Sequence, residues 1–322
     1  MLKTNYPCDL HSHSTRSDGA DTPKELIENA VNHGMYALGL TDHDTPPPEK
    51  IDGMDAVEYA IQRGLILVPG YEFSCDTKLD DVHICGYRLD WKHPRLEEEI
   101  EAAKSSKSNA YRELCDILTR AGYALDWERD ILENVPGKSP EAVQRKHVFE
   151  AMARRGYTPT WSDAKLLVRD TPAFNNKRRK IDPFDAISLI HTCGGIAVLA
   201  HPYLIDETIR IPGRPGTRHE FILQLFEAGL DGIEACYPYD KTTYKGTQTP
   251  TEIEAEVRHR YGMCAKFFSG GSDYHADHKK NATKVRSLGE CGLTVEEFLL
   301  TSLALHFHND SLEIGRKHKA LS

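Results

Sequence analysis

The sequence lacks three features that mark large classes of proteins. It has no run of about 20 apolar residues, the length that a membrane-spanning helix needs, so no membrane association is expected. Its eight cysteines form no Cys-x-x-Cys pair, and a chain of 322 residues does not need disulfides to be stable, so reduced thiols are expected. No apolar signal core lies near the N-terminus. These observations predict a cytoplasmic protein.

Positive charge and several familiar catalytic motifs are also missing. The net charge of −9 opposes affinity for long nucleic acid. The chain has no dinucleotide-binding glycine fingerprint, no Walker sequence and no Gly-x-Ser-x-Gly or Cys-His nucleophile arrangement. A small molecule is therefore the expected partner, and the sequence makes no prediction about oligomeric state.

One segment departs from the acidic composition. Residues 138–180 contain eleven Lys or Arg and four Asp or Glu, a net charge of +7. Helical periodicity covers 96–120 and 139–155, with no convincing buried strand nearby. We expect residues 94–180 to be an inserted helical, basic cap that either exposes a solvated surface or binds anionic groups. Its candidate phosphate-binding residues are Arg145, Lys146, His147, Lys177 and Arg178.

Outside this segment the chain repeats one unit, a short apolar run followed by a polar residue and a helix. The apolar runs include 36–40, 65–68, 82–87, 196–200 and 232–236. Roughly seven such units predict an α/β fold with a parallel sheet that closes into a barrel or nearly so. The barrel is expected to comprise residues 1–93 and 181–293, and a C-terminal helix and tail to follow over 294–322.

Histidines and carboxylates follow the apolar runs. In an extended segment His11 and His13 point to the same side, so both imidazoles can bind one metal ion. The run at 65–68 is expected to end at Pro69 and Gly70, which puts Glu72 in a loop. Loops at the carboxyl ends of barrel strands face one another. The further candidates there are Asp18, His43, Glu72, His201, Asp273 and His275, with His83 inside a strand.

Cations are expected among these side chains. Taken one at a time, each is an ordinary polar residue, but several carboxylates in one dry pocket would repel one another unless cations stood between them. Nitrogen and carboxylate ligands without cysteine suit manganese, iron or zinc. The ligand types do not choose among these three metals. We expect two or three divalent ions, with Glu72 as the carboxylate that bridges two of them.

Five motifs occur in order along the chain: Asp9-x-His-x-His-Ser-x-x-Ser-Asp-Gly, Thr41-Asp42-His43-Asp44, Gly70-x-Glu72, Ala200-His201-Pro202 and Gly271-Ser272-Asp273-x-His275. Together they resemble the polymerase and histidinol phosphatase (PHP) family of the amidohydrolase superfamily. The resemblance implies a distorted (β/α)7 barrel with an inserted helical cap. It also implies hydrolysis of a phosphate ester by metal-activated water.

The resemblance assigns the ligands to three ions. It places His11, His13, Glu72 and Asp273 around one ion, Glu72, His83 and His201 around a second, and Asp18, His43 and His275 around a third. Glu72, His201 and Asp273 are the residues on which catalysis is expected to depend.

Several substrates fit this class of enzyme. The preferred one is 5-phosphoribosyl 1,2-cyclic phosphate, hydrolysed at both ester bonds to ribose 5-phosphate and phosphate. The alternatives are a nucleoside 3′,5′-bisphosphate phosphatase, a 5′→3′ exoribonuclease on short RNA and, from another class, a non-catalytic PHP binding module. A nucleotide enzyme would need an aromatic surface for the base. Tyr157, Trp161 and Phe174 of the insert fit a core equally well, which favours the sugar phosphate.

Overall fold

The computed structural model describes residues 6–75, 82–174, 176, 178–211, 214–280 and 282–305. The chain divides into two compact units. Met1–Glu97 and Ile181–Ser322 form one, here called the barrel unit, and Glu98–Lys180 form the other, the helical unit. Within the described ranges, no helix is both long enough and apolar enough to span a bilayer.

A sheet of seven strands organises the described part of the barrel unit. Its order follows the chain: β1 (Cys8–Asp9), β2 (Ala37–Leu40), β3 (Ile66–Ser74), β4 (His83–Tyr87), β5 (Ile196–Leu199), β6 (Gly232–Cys236) and β7 (Phe267–Gly270). Beyond the first and last strands, the Leu10 N–H donates to the Gly270 carbonyl at 3.1 Å, and Ser12 pairs with Tyr274. These contacts nearly close the sheet, so the prediction of a distorted seven-stranded barrel is confirmed.

Helices connect most of the strands. In chain order they are α1 (Pro23–Asn32), α2 (Ala56–Gln62), α3 (Pro94–Arg120), α4 (Arg145–Arg154), α5 (Trp161–Asp170), α6 (Pro183–Thr192), α7 (Arg218–Glu227), α8 (Pro250–Tyr261) and α9 (Val295–Leu300). Helix α1 begins with a capping box at Thr22 and Glu25. The Thr22 hydroxyl accepts from the Glu25 N–H at 3.2 Å, and the Glu25 carboxylate accepts from the Thr22 N–H at 2.7 Å.

The expectation of an all-parallel sheet is wrong for one strand. β4 runs antiparallel to both β3 and β5, whereas the other neighbouring strands are parallel. Residues 75–82 join β3 to β4 and are too few for a crossover helix, so the chain returns beside the strand it has just left.

The third strand is longer than predicted. It does not end at Pro69 and Gly70, so Glu72 lies within β3 and not in a loop. Pro69 lacks a donor, but its carbonyl accepts from the Arg88 N–H at 3.0 Å, and β4 pairs with β3 from Gly70 onwards. The strand therefore continues through the proline.

Two further predictions of secondary structure need correction. The helix predicted at 139–155 is a short 3₁₀ turn, Pro140–Ala142, followed by α4, because Val143 and Gln144 adopt extended backbone angles between them. A hairpin of Thr208–Ile211 with Arg214–Thr217 is present where the sequence predicts none. The predicted tail at 294–322 includes residues 306–322, which lie outside the described residues.

Each unit has its own apolar core. In the barrel unit, alternate strand residues pack on opposite faces of the sheet. Ile66 and Val68 join a cluster with Val198, whereas Leu67 joins a second cluster with residues of α1 and α2. In the helical unit, side chains from α3, α4 and α5 pack together around Met152.

A buried carboxylate secures the start of β6. Asp231 accepts hydrogen bonds from the Ala197 N–H at 2.9 Å, from His191 Nε2 at 2.8 Å and from Lys266 Nζ at 2.6 Å. Burial alone would raise the pKa of Asp231, but the hydrogen bonds from Lys266, Ala197 and His191 lower it below its usual value. Asp231 therefore stays ionised and ties β5, β6 and α6 together.

Candidate metal centre

The barrel gathers the predicted metal-binding residues at one edge of the sheet. His11 and His13 follow β1, His43 follows β2, His201 follows β5, and Asp273 and His275 follow β7. Glu72 lies near the end of β3. Because β4 is reversed, its first residue, His83, pairs with Ser74 and so lies at this same edge.

Glu72 is the centre of the cluster. Its Oε2 lies 3.3 Å from His11 Nε2, 3.2 Å from His13 Nε2 and 3.0 Å from His43 Nδ1. Its Oε1 lies 2.9 Å from His83 Nδ1 and 3.2 Å from His201 Nε2. One buried carboxylate therefore faces five imidazoles, an arrangement suited to a ligand shared between cations.

Asp273 and Asp18 extend the cluster. Asp273 Oδ1 lies 3.1 Å from His13 Nε2 and 3.4 Å from His275 Nδ1. On the far side of His275, its Nε2 lies 3.1 Å from Asp18 Oδ1. His13, Asp18, His43 and His275 also form a group whose possible ligand atoms all lie within 4.8 Å of one another. The structure thus brings all nine predicted residues together, and the division into three ions remains a prediction.

The electrostatics of the pocket favour added positive charge. Burial alone would raise the pKa of Glu72, but the imidazoles of His43, His11 and His83 hold it well below its usual range. Burial alone would lower the pKa of His13, whereas Asp273 and Glu72 raise it to about 10. Burial lowers the pKa of His83 below its usual value, against the opposing effect of the Glu72 carboxylate.

Unsatisfied polar atoms test whether metal ions fit. Among the described residues, buried side-chain atoms without a hydrogen bond include His11 Nε2, His13 Nε2, His43 Nδ1, His201 Nδ1 and Glu72 Oε2. Such atoms are rare in native interiors, and here the nitrogens of His11, His13 and His43 lie 3.0–3.3 Å from the Glu72 oxygen. Cys85 also lies close to His11 and Glu72, but burial raises its pKa and keeps the thiol protonated. The donor set fits divalent ions held by nitrogen and oxygen.

The predicted phosphate-binding residues lie in the helical unit. Arg145 and Lys146 are exposed at the start of α4. His147 differs from them, because its Nδ1 accepts the Gln144 N–H at 3.0 Å at this helix end. Burial and the nearby Lys146 lower the pKa of His147 to about 4, so it carries no charge at neutral pH. Arg178 is partly buried, and Lys177 lies outside the described residues.

Two of the three aromatic residues noted in the insert belong to the core of the helical unit, as the sequence allowed. Phe174 is buried in the core of the helical unit, and Tyr157 packs against that core. Trp161 is 46% exposed at the start of α5.

Two carboxylates that the sequence analysis did not assign anchor the motif loops. Asp9 accepts hydrogen bonds from Ser272 Oγ at 2.5 Å and from the Gly289 N–H at 3.0 Å, which joins the loops after β1 and β7. Asp42 accepts from Ser14 Oγ at 2.7 Å and from Ser17 Oγ at 2.6 Å, which fixes the loop that carries Asp18. Both aspartates lie inside the motifs named above, Asp9 in the first and Asp42 in the second, and this position is what could have indicated their role.

Three more residues contact the predicted ligands directly. Arg286 Nη1 donates to Asp273 Oδ2 at 2.6 Å, and the Tyr237 hydroxyl donates to the same oxygen at 2.8 Å. These bonds leave Asp273 Oδ1 facing the imidazoles. Glu234 contacts both His11 and His201. The sequence signals for these residues are weak, because each contact joins segments far apart in the chain.

A nearly closed barrel whose carboxyl edge gathers histidines and carboxylates is the architecture of a metal-dependent hydrolase. The PHP domain profile matches residues 9–153. The phosphoribosyl 1,2-cyclic phosphate 1,2-diphosphodiesterase of Eggerthella lenta is 30% identical over 277 residues, 83% of this chain and 93% of that protein. The chain belongs to the PHP family, and it is a metal-dependent phosphoesterase.

Two further proteins are similar to this chain. The 3′,5′-nucleoside bisphosphate phosphatase of Chromobacterium violaceum is 29% identical over 276 residues, 83% of this chain and 87% of that protein. A crystal structure of a protein from Bifidobacterium adolescentis shares the fold, with a TM-score of 0.68 and 22% identity over 92% of this chain and 95% of that one.

Proposed function

We propose that this enzyme hydrolyses 5-phosphoribosyl 1,2-cyclic phosphate, first at one ester bond of the ring and then at the other, to give ribose 5-phosphate and phosphate. The observation that carries the proposal is the contact of Glu72 with five imidazoles, which provides for more than one cation. The near full-length match to the Eggerthella lenta diphosphodiesterase supports this substrate.

The proposed ligands are the nine predicted metal-binding residues, and the proposed ions are two or three, manganese foremost with iron or zinc as alternatives. When bound, such ions would lower the pKa of an attacking water and neutralise phosphoryl oxygens. Glu72, His11 and His13 are buried and would exclude bulk water from the reacting groups. His43 and Asp18 have side chains 24% and 52% exposed and would form the open side, where the substrate enters.

The acidic net charge and the free thiols bear on partner and location. A net charge of −9 disfavours long RNA, so an exoribonuclease is the less favoured alternative. All eight cysteines are free, and we propose a cytoplasmic location on that basis.

A nucleoside 3′,5′-bisphosphate phosphatase is the second candidate, and a cavity in the barrel unit favours it. The cavity has a volume of about 530 Å³ and is lined by residues that include Tyr203, Tyr244 and Gln248. Tyr203 follows His201 by two residues in the chain, so the wall continues from a segment that carries a predicted ligand. Its ring is buried beneath the Arg218 guanidinium, which leaves Tyr244 as the tyrosine of this wall on which we propose that a base stacks.

The two candidates are separated by phosphate release from each substrate at equal concentration with manganese. We expect a higher kcat/KM for the cyclic sugar phosphate. A value about a hundredfold higher for the bisphosphate would correspond to roughly 2.7 kcal/mol of transition-state preference and would replace the first candidate by the second.

We also propose that Arg145 binds a phosphate group of the substrate other than the one hydrolysed. The Arg145→Ala variant is then expected to raise KM for the cyclic sugar phosphate about tenfold or more, because a charge-assisted hydrogen bond is lost. KM for a simple aryl phosphate should stay unchanged, since that substrate has no second phosphate.

Arg169 provides the control for this measurement. It is an exposed arginine of the same unit, paired with Asp170 at 2.7 Å. The Arg169→Ala variant should leave both KM values as they are. Equal effects of Arg145→Ala on the two substrates would remove Arg145 from phosphate recognition.

A further inference from the structure

Glu234 is a buried carboxylate in the middle of an apolar strand, and it contacts two of the proposed metal ligands. It lies in β6 with 2% exposure. Its Oε1 lies 3.2 Å from His11 Nδ1, and its Oε2 accepts the backbone N–H of His201 at 2.7 Å. A single carboxylate therefore joins segments that follow β1 and β5.

The contact with His11 has a chemical consequence. A carboxylate at Nδ1 favours the tautomer that carries its proton on Nδ1, which leaves the lone pair of Nε2 available. That Nε2 is the nitrogen that faces Glu72 and Asp273, at 3.3 Å and 3.6 Å. Glu234 thus directs the ligating nitrogen of His11 towards the carboxylates.

The contact with His201 has a conformational consequence. His201 has backbone angles φ 29° and ψ 59°, in a region that side-chain-bearing residues rarely adopt. Its N–H bond to Glu234 helps to hold this conformation, in which His201 Nε2 lies 3.2 Å from Glu72 Oε1.

We propose that Glu234 is a positioning residue that sets the metal affinity of the centre through His11 and His201. The inference rests on the proposed metal ligands. Glu234 acts through those two residues and takes no part in the reaction itself. The competing view is that it is a buried structural carboxylate with no influence on metal binding.

Asp231 provides a closely matched control for Glu234. It immediately precedes β6, is 7% exposed, and likewise accepts hydrogen bonds from one imidazole, His191, and one backbone N–H, that of Ala197. It differs from Glu234 in also pairing with Lys266 Nζ at 2.6 Å. None of these partners is a proposed metal ligand. Removing the charge of Asp231 therefore measures what a carboxylate of this kind does for folding alone.

The test compares Glu234→Gln with Asp231→Asn. A glutamine has one acceptor oxygen, so if that oxygen keeps the His201 N–H, its NH₂ group faces His11 Nδ1 and favours the opposite tautomer. Titration with Mn²⁺, followed by the electron paramagnetic resonance of the free ion, should show Kd increased about 10- to 100-fold for Glu234→Gln. Excess Mn²⁺ should restore much of its activity. Asp231→Asn should lower Tm by about 3–8 °C and leave Kd within twofold of the wild type.

The results separate three cases. Wild-type Mn²⁺ affinity in Glu234→Gln, together with a Tm loss like that of Asp231→Asn, would make Glu234 structural and overturn the inference. Should Glu234→Gln fail to fold, ¹⁵N NMR of the zinc-loaded wild type decides, because the inference requires His11 to bind through Nε2 with its proton on Nδ1, and the reverse would overturn it. If the wild type binds neither Mn²⁺ nor zinc, the proposed metal centre itself fails, whatever Glu234 does.

Discussion

Replacing Glu72 by glutamine is expected to reduce kcat by on the order of a thousandfold or more, because the central ligand of the proposed metal centre would lose its charge. Both oxygens of Glu72 face imidazoles, three at Oε2 and two at Oε1. A neutral amide has one acceptor oxygen and cannot serve both sides. Steady-state rates with the preferred substrate and added manganese provide the measurement.

The fold should tolerate this change. Glutamine has almost the same shape as glutamate, so it fits the space that Glu72 occupies. We expect Tm of Glu72→Gln to stay within about 3 °C of the wild type when both proteins are measured without divalent ions, because the stabilisation that bound ions provide is then absent from both. Asp273→Asn should behave in the same way, since Asp273 Oδ1 faces His13 and His11. Near-wild-type turnover by either variant, with manganese present, would show that the ligand set is wrong.

Removal of divalent ions by a chelator is expected to abolish activity and to lower Tm. Ions that bind only the folded state stabilise it by RT ln(1 + [L]/Kd), about 2.7 kcal/mol when their free concentration is a hundred times Kd. Among the described residues, imidazoles and Arg286 provide the positive charge that faces Glu72 and Asp273, and bound cations would add to it.

Reconstitution then tests which ion the centre uses. Chelated protein should be dialysed, checked for residual metal by elemental analysis and assayed with manganese, iron or zinc, with magnesium as the control. We expect manganese to restore the highest rate of the three. Magnesium should restore little activity, because it binds imidazole nitrogen poorly. Full activity in protein proven free of metal would refute a metal-dependent mechanism.

The sequence predicts those site residues that belong to local patterns. His11 and His13 follow a strand two residues apart, and Asp273 and His275 repeat this spacing after the last strand. To place each pair at the site, two local rules are enough: alternate residues of an extended chain point to the same side, and the ends of barrel strands lie close together. Such features depend on neighbouring residues, so the order of the amino acids is enough to indicate them.

The features that the sequence does not predict depend on contacts between distant segments. The reversal of β4 depends on which strand the chain pairs with after residues 75–82. Arg286 reaches Asp273 from a loop thirteen residues later, and nothing in its surrounding sequence indicates that contact. Pro69 predicts the end of a strand because proline has no N–H to donate to a neighbouring strand. Here the carbonyl of Pro69 provides the hydrogen bond.

The left-handed backbone at the centre constrains how this enzyme could be made more heat-resistant. His201 and Asp273 have φ of 29° and 51°, and such conformations cost of order 1–3 kcal/mol each. Glycine would adopt these angles without strain, but glycine at position 273 would leave Arg286 and Tyr237 without their carboxylate partner, and glycine at position 201 would remove the imidazole that faces Glu72. The lost contacts offset the relief of strain, and either variant would lack a proposed metal ligand. Directed evolution of this scaffold therefore requires selection for turnover and for stability together.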